Sequence, residues 1–359
     1  MTAPALRLAG DPPASPRARR ALHLRWGLVA LLLLAAVLSI STGAAGLSLP
    51  RVLGDWLSGA GLATRDRVIL FDIRLPRLAM GMMVGAALAV SGALMQGLFR
   101  NPLADPGVVG VAAGASLGAV SAIVLGGLLP VALTRVLGPQ FLVPLAAFLF
   151  AWGATMLLYR LARAGGQTSV ATLLLAGIAL TALAVALTGI LINMANDQQL
   201  RDLTFWNMGS LAGASWMKLA LALPFVAPAL VFAPRLAGGL NALALGEAAA
   251  AHMGHDVERL KRWSVLAVAA AAGAAVSVAG AIGFIGIVVP HLLRLASGPD
   301  HRALLPNAAL LGAALLVGAD VIARQVVAPA ELPIGIVTAI LGAPVFLWIL
   351  MRRRGFGGI

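Results

Sequence analysis

The residues that could carry chemistry are few and far apart in this chain. Of the five histidines, only His252 and His255 are close in sequence. A spacing of three residues could place both imidazoles on one helix face, as in a metal-binding pair, but a solvated surface is the favoured interpretation. No H-E-x-x-H segment occurs, and cysteine is absent, which excludes disulfides, thiol catalysis and cysteine-based metal sites. The sequence therefore predicts no metal site.

The sequence also lacks a phosphate-binding motif for nucleotides. Its two lysines are Lys218 and Lys261, and neither follows a glycine. The G-x-x-x-x-G-K-[ST] segment that cradles phosphates is thus absent. Neither lysine falls in the middle of an apolar segment, which disfavours an intramembrane enzyme with a Ser/Lys pair. We predict that the chain is not an enzyme and binds no cofactor of its own.

The chain as a whole is poor in polar residues. Of the 359 residues, 60% are hydrophobic and 11% are charged, and the mean hydropathy is +0.96. A soluble domain must wrap its core in polar residues, so this composition predicts an all-α polytopic membrane protein. The net charge of +13 is attributed to cations at the ends of spans rather than to nucleic-acid binding.

Apolar segments of membrane-spanning length follow one another along the chain. A polar leader at 1–24 is predicted to be disordered, and 354–359 forms a tail. A cleaved signal peptide is the alternative for the N-terminus, because small residues follow the first apolar run, but an uncleaved span is favoured. The ten spans are predicted at 25–45, 76–97, 107–128, 139–161, 170–192, 216–234, 263–281, 283–297, 304–323 and 333–351.

The distribution of cations indicates the orientation. With the N-terminus inside, 17 of the 26 lysines and arginines fall on the inside and 9 on the outside. The positive-inside rule then predicts that the leader, the tail and both termini are cytoplasmic. The positive-inside rule predicts fewer cations on the outside than the nine found there, so some of these are expected to have a function.

Two inside loops have distinctive patterns. In the first, R-N-P-L-A-D-P-G, Asn101 and Pro102 are predicted to stop the incoming helix. Asp105 is predicted to cap the next helix, with Pro106 at its first position. The second loop, 235–262, predicts two short helices broken at Gly254, which form either a connector or a docking surface for a soluble partner.

Several separated motifs, taken together and in order, resemble one known family. They cover residues 25–353, and the chain looks like a permease subunit of type II ABC importers, which take up heme, ferric siderophores or cobalamin. The motifs are "RLPRLAMGMMVGAALAVSGALMQGLFRNPLADPGVVGVAAGASLG" at 74–118, "LTFWNMGSLAGASW" at 203–216, "GEAAAAHMG" at 246–254, "GFIGIVVPHLLRL" at 283–295, "DHRALLP" at 300–306 and "GADVIARQVVAPAELPIGIVTAILGAPVFLWIL" at 318–350.

The resemblance implies a ten-span permease domain at 25–353 in a bacterial inner membrane. It also implies a homodimer, two ATPase subunits that hold ATP and Mg inside, and a periplasmic binding protein outside. Heme is the favoured substrate, and a ferric siderophore or cobalamin is the alternative. An ion-coupled secondary transporter is disfavoured, because the spans hold too few ionisable groups.

The resemblance further assigns roles to five groups of residues. Each of three groups has an alternative interpretation. The docking arginines could instead form local pairs, such as Arg324 with Asp320. The gate residues could form an ordinary turn, and the aromatic residues could form an interfacial belt. The inner turn is expected to hold the second and third spans in register. The assigned groups are binding-protein docking (Arg74, Arg77, Arg324), ATPase coupling (Gly246, Glu247, Ala250, His252, Met253, Gly254), the cytoplasmic gate (Gln167, Thr168, Ser169), the pathway or outer mouth (Phe205, Trp206, Met208) and the inner turn (Arg100, Asn101, Pro102, Asp105, Pro106).

Overall fold

The described part of the chain folds into a bundle of helices with one small hairpin. The computed structural model describes residues 16–354 except 44, 45, 47, 60, 131–137, 165 and 166. The helices of the first half are α1 (Pro16–Ser41), α2 (Leu49–Leu57), α3 (Thr64–Arg67), α4 (Leu75–Leu98), α5 (Val111–Leu125), α6 (Pro139–Leu161) and α7 (Val170–Asn193). Those of the second half are α8 (Asp197–Met208), α9 (Trp216–Phe232), α10 (Ala237–Leu243), α11 (Glu247–His252), α12 (Val257–Ala279), α13 (Ile285–Ser297), α14 (His301–Gln325) and α15 (Ile334–Arg354).

Shorter elements join these helices. A π-helical segment connects α3 directly to α4, so the two form one continuous rod. The strands β1 and β2 form an antiparallel hairpin between α6 and α7. The bounds are Val68–Arg74 for the π-helical segment, Arg163–Ala164 for β1, Gln167–Thr168 for β2, and Pro106–Val109, Gly126–Leu128 and Ala233–Leu236 for the 3-10 turns.

The apolar segments found in the sequence all fall on helices. In the described part of the chain, 8 helical stretches are long and apolar enough to cross a membrane. Two shorter apolar helices, Ile285–Ser297 and Ile334–Trp348, account for the eighth and tenth segments. A helix satisfies its own backbone hydrogen bonds, which a lipid-exposed segment requires. The prediction of an all-α polytopic fold is confirmed.

The core is built around α4, which packs most extensively on α14 and also on α12 and α13. Glycines permit these close approaches. A Cβ added at Gly85 would collide with the carbonyl oxygen of Gly312, and one added at Gly92 would collide with that of Gly286. Small residues at such crossings let helix backbones approach closely, as is common between membrane helices. By contrast, α7 is mostly exposed.

Several helices extend beyond the predicted bounds, and two of them do so most, at their N-terminal ends. The second span begins at Thr64 rather than at residue 76, because Arg74 and Arg77 find buried partners inside the bundle and so need not end the helix. The first helix begins at Pro16, so residues 16–24 are helical where a disordered leader was expected. Proline is well tolerated in a first helical turn.

The loop 235–262 also differs from its prediction. The break at Gly254 is confirmed, with φ +84°, and Asp256 caps the next helix by accepting a hydrogen bond from the Arg259 backbone N–H at 2.9 Å. That helix is not a separate short piece but the first turns of α12. An additional break occurs at Gly246, whose φ of +112° suits only glycine, and it separates α10 from α11.

Candidate functional site

The candidate site residues lie towards both ends of the bundle. We name these the α8 end, where α14 finishes and α15 begins, and the α11 end, where α4 finishes and α14 begins. The predicted docking arginines and outer-mouth residues lie towards the α8 end. The predicted gate and coupling residues lie at the α11 end, and the inner turn runs from that end into the bundle.

At the α8 end, one buried carboxylate binds two arginines. Asp320 is 2% exposed. It accepts hydrogen bonds from Arg77 Nε at 3.0 Å and Nη2 at 2.8 Å, and Arg324 Nε lies 3.0 Å from its second oxygen. Arg77 also binds Glu331 at 2.9 Å. The predicted pair of Arg324 with Asp320 is thus confirmed, while the link to Arg77 joins residues that are distant in sequence.

Two of the three predicted docking arginines, Arg74 and Arg324, also close the C-terminal end of α1. Arg324 donates to the carbonyl oxygen of Thr42 at 2.9 Å and to Ser39 Oγ at 3.1 Å, and Arg74 donates to the carbonyl oxygen of Ile40. The last carbonyls of a helix lack intrahelical partners and attract cations. The three guanidiniums are therefore occupied within the chain, and their contact with a binding protein remains a prediction.

The outer-mouth residues lie on α8, which begins with a capping box formed by Asn196 and Gln199. Phe205 is 57% exposed, whereas Trp206 packs against the core and Met208 is half-buried. After the helix ends, the carbonyl oxygen of Gly209 accepts a hydrogen bond from Ile334 N at 3.0 Å. Of the three predicted residues, Phe205 presents the most open apolar surface.

The inner turn stops α4 as predicted. Arg100 has φ +51°, and the Asn101 N–H reaches back to the carbonyl oxygen of Gln96 at 3.2 Å, which closes the helix in the manner of a Schellman motif. Pro102 then follows. Arg100 is exposed and lines a cleft of about 640 Å³ at the α11 end, together with Arg294.

Asp105 caps the next element, as predicted, through a hydrogen bond from the Gly107 N–H to its Oδ1 at 2.8 Å. The capped element is the 3-10 turn that starts at Pro106, and α5 begins only after Gly110, which has φ +78°. Asp105 also lines a cavity of about 130 Å³ beside Gly286. Burial raises the pKa of its carboxyl group, and the hydrogen bond from Gly107 only partly offsets this.

The raised pKa of Asp105 should make the stability of the protein depend on pH. Because its pKa is raised in the folded chain, the folded state binds more protons than the unfolded one above about pH 4. The contribution of Asp105 to the free energy of unfolding should therefore decrease as pH rises from about 4 through the raised pKa, and then become constant. Asp105→Asn keeps the cap and should lack this decline, whereas Asp105→Ala should lose about 1 kcal/mol. Thermal unfolding in detergent from pH 4 to 8 tests this, and an unchanged decline in Asp105→Asn would contradict it.

The predicted gate residues lie on and beside the hairpin. Gln167 is exposed on β2, and its neighbour Thr168 is only 3% exposed. Ser169 caps α7 by accepting a hydrogen bond from Thr172 N at 3.2 Å. The alternative of a turn with serine capping therefore describes the local structure. Gly165 and Gly166, which directly precede the predicted gate residues, lie outside the described residues.

The predicted coupling residues form α11 and its two boundaries. Ala250 is fully buried, while His252 and Met253 are exposed. Gly254 ends the helix as predicted, because its positive φ lets the His255 N–H reach the carbonyl oxygen of Ala250 at 3.1 Å. Beside the helix, Leu245 is 73% exposed. The short helix and its flanks thus present a mixed outer surface, with apolar Leu245 and Met253 beside polar Glu247 and His252, above the buried Ala250.

Lys261 is a functional candidate that the sequence motifs did not indicate. It is 2% exposed and binds Glu247, the first residue of α11, at 2.8 Å. The signal was available in part, because Glu258 stands three residues before it on one helix face. Among the described residues, no group of three or more His, Asp or Glu side chains could hold a metal ion.

The long apolar helices define a polytopic membrane protein. The chain belongs to the FecCD transport family, which matches residues 31–352. It is 44% identical to the hemin transport system permease protein HmuU of Yersinia pestis over 91% of this chain and 95% of that protein. It is 42% identical to the vitamin B12 import system permease protein BtuC of Klebsiella pneumoniae over 94% and 96% of the two chains.

A solved structure agrees with this assignment. The structure of a metal-chelate type ABC transporter in an inward-facing conformation matches with a TM-score of 0.80 and 30% identity, over 92% of this chain and 99% of that chain. The protein is therefore a multi-pass permease of the ABC importer class. The family resemblance deduced from the sequence motifs is confirmed.

Proposed function

We propose that the chain is the permease of an ATP-driven heme importer in a bacterial inner membrane. Two copies, each with a permease domain at 25–353, form the pathway and work by alternating access. A periplasmic binding protein delivers heme, and two separate ATPase subunits hold ATP and Mg. The observation that carries the proposal is 44% identity to a hemin permease along nearly the whole chain.

Cobalamin is the second candidate substrate, because a vitamin B12 permease is 42% identical over a similar length. Proteoliposomes that contain the permease, its ATPase and its binding protein should be offered heme, cobalamin and a ferric siderophore in parallel. We expect ATP-dependent accumulation of heme above that of the other two. Preferential uptake of cobalamin or of the siderophore would keep the importer and overturn the choice of heme.

In this proposal the α11 end faces the cytoplasm, as do both termini. The cation bias of the sequence supports that orientation. The hairpin with Gln167, Thr168 and Ser169 acts as the gate, and the inner turn holds α4 and α5 in register. At the outer face, an acidic side chain of the binding protein would compete with Glu331, the exposed partner of Arg77.

The ATPase is proposed to dock on α11 and its flanking residues. A charge placed in that interface would be buried without a partner. Leu245→Asp is therefore expected to weaken ATPase binding at least about tenfold, while leaving the melting temperature of the isolated permease unchanged, because Leu245 is exposed. Pull-down titration with the purified ATPase measures this.

Leu57→Asp is the matched control, since Leu57 is similarly exposed at 76% but lies on α2, which is linked to the α8 end. This variant should bind the ATPase normally. Equal affinities of the two variants and the unsubstituted chain would contradict docking at α11.

A further inference from the structure

One buried ammonium joins the two segments at the α11 end that are proposed to dock the ATPase and to form the gate. Lys261 Nζ donates to Glu247 Oε2 at 2.8 Å, to the backbone carbonyl of Thr168 at 2.8 Å and to Glu258 Oε1 at 3.2 Å. A lysine ammonium has three donors and no acceptor. Every donor of this side chain therefore has a partner, although the residue is only 2% exposed.

The three partners come from three different elements. Glu247 begins α11, Thr168 ends β2, and Glu258 lies on α12 beside Lys261 itself. Glu258 strengthens the hold on the hairpin, because its carboxylate accepts hydrogen bonds from the Thr168 backbone N–H at 3.0 Å and from its hydroxyl at 2.8 Å. Thr168 is thus bound through its N–H and its hydroxyl by Glu258, and through its carbonyl oxygen by Lys261, both on α12.

The energetics favour movement of these elements as one unit. A buried ammonium that loses a charged partner is left poorly compensated, and breaking such a buried pair is strongly unfavourable. A displacement of α11 that stretched the contact from Glu247 to Lys261 would meet this resistance. Displacing α12 and β2 together with α11 keeps the hydrogen bonds intact. The side chain of Glu247 remains partly exposed, at 45%, on the face where the ATPase is proposed to dock.

We propose that Lys261 is a positioning residue that transmits movement of α11 to the hairpin and so links ATP hydrolysis to the opening of the gate. The inference rests on the proposed function, which gives α11 and the hairpin their roles. Lys261 itself contacts neither heme nor nucleotide. It acts by keeping Glu247 and Thr168 at a fixed separation.

The test uses the full importer in proteoliposomes and measures heme transported per ATP hydrolysed. Lys261→Met removes the ammonium while keeping an unbranched side chain, and Lys261→Arg keeps the charge. Arg259→Met is the matched control, because Arg259 lies on the same helix in an exposed pair with Asp256. We expect Lys261→Met to retain ATP hydrolysis but to lower the transport ratio about tenfold or more, within the usual range of coupling between sites. The other two variants should stay near the original ratio.

A second readout separates a broken link from a misfolded protein. The chain has no cysteine, so a spin label at Gln167→Cys reports the separation of the two hairpins in the dimer. This separation should change with nucleotide in the unsubstituted complex and remain fixed in Lys261→Met. A normal transport ratio, a label that still responds, or a parallel loss of hydrolysis and transport would overturn the inference. Failure of the unsubstituted complex to import any of the three substrates with ATP would instead refute the proposed function, and the inference with it.

Discussion

Asp320→Asn is expected to lower the free energy of unfolding by about 3–5 kcal/mol, the usual effect of breaking a buried ion pair. The substitution keeps the size of the side chain but removes the charge that compensates Arg77 and Arg324. Both guanidiniums would then stay buried, with Glu331 as the remaining carboxylate partner of Arg77. Helical signal during titration of detergent-solubilised protein with SDS measures this change.

The control for this prediction is Asp55→Asn. Asp55 lies 3.9 Å from Arg51 on α2, and the side chains are 36% and 71% exposed. An exposed pair of this kind contributes about 0–1 kcal/mol, so the variant should unfold almost as the original does. If both asparagine variants unfolded at the same SDS fraction, the buried carboxylate would not be the anchor of the α8 end.

Gly312→Ala should destabilise the protein through overpacking. Its new methyl group would collide with the carbonyl oxygen of Gly85 and with the side chain of Ala89, at the most extensive helix contact of the bundle. Backbone atoms cannot turn away as a flexible side chain can, so α4 and α14 must separate. Such strain typically costs about 1–3 kcal/mol and occasionally more, and the melting temperature in detergent should fall accordingly.

Gly318→Ala provides the matched comparison on the same helix. Nothing lies within 4 Å of a Cβ added there, and alanine favours helix over glycine by about 1 kcal/mol. This variant should melt at the same temperature as the original or slightly higher. A melting temperature for Gly312→Ala as high as that of Gly318→Ala would mean that α4 and α14 do not cross at Gly85 and Gly312.

Hydropathy located the membrane helices because it is a local property of the chain. The bounds were less accurate where tertiary contacts change the meaning of a polar residue. The second span was predicted to start at residue 76, yet the rod continues towards the N-terminus and Arg77 is buried in it, because Asp320, 243 positions away, compensates its charge. No pattern within one segment contains that information.

Local motifs predicted the caps and breaks at the α11 end. The break at Gly254 follows from backbone preferences over a few residues and was found as expected, and the cap that Asp256 forms on α12 obeys a local rule of the same kind. The bridge from Lys261 to Thr168 was not predictable in this way, because it depends on the packing of the hairpin against α12. Lys261 was counted among the inside cations, although its side chain is buried.

In the proposed function, this permease imports heme with energy from a separate ATPase. The most direct measurement is heme accumulation in proteoliposomes that hold the permease, the ATPase and the binding protein, with each component omitted in turn. We expect accumulation only when all three components and ATP are present, and none when a proton gradient replaces ATP. Accumulation driven by a proton gradient without the ATPase would contradict it.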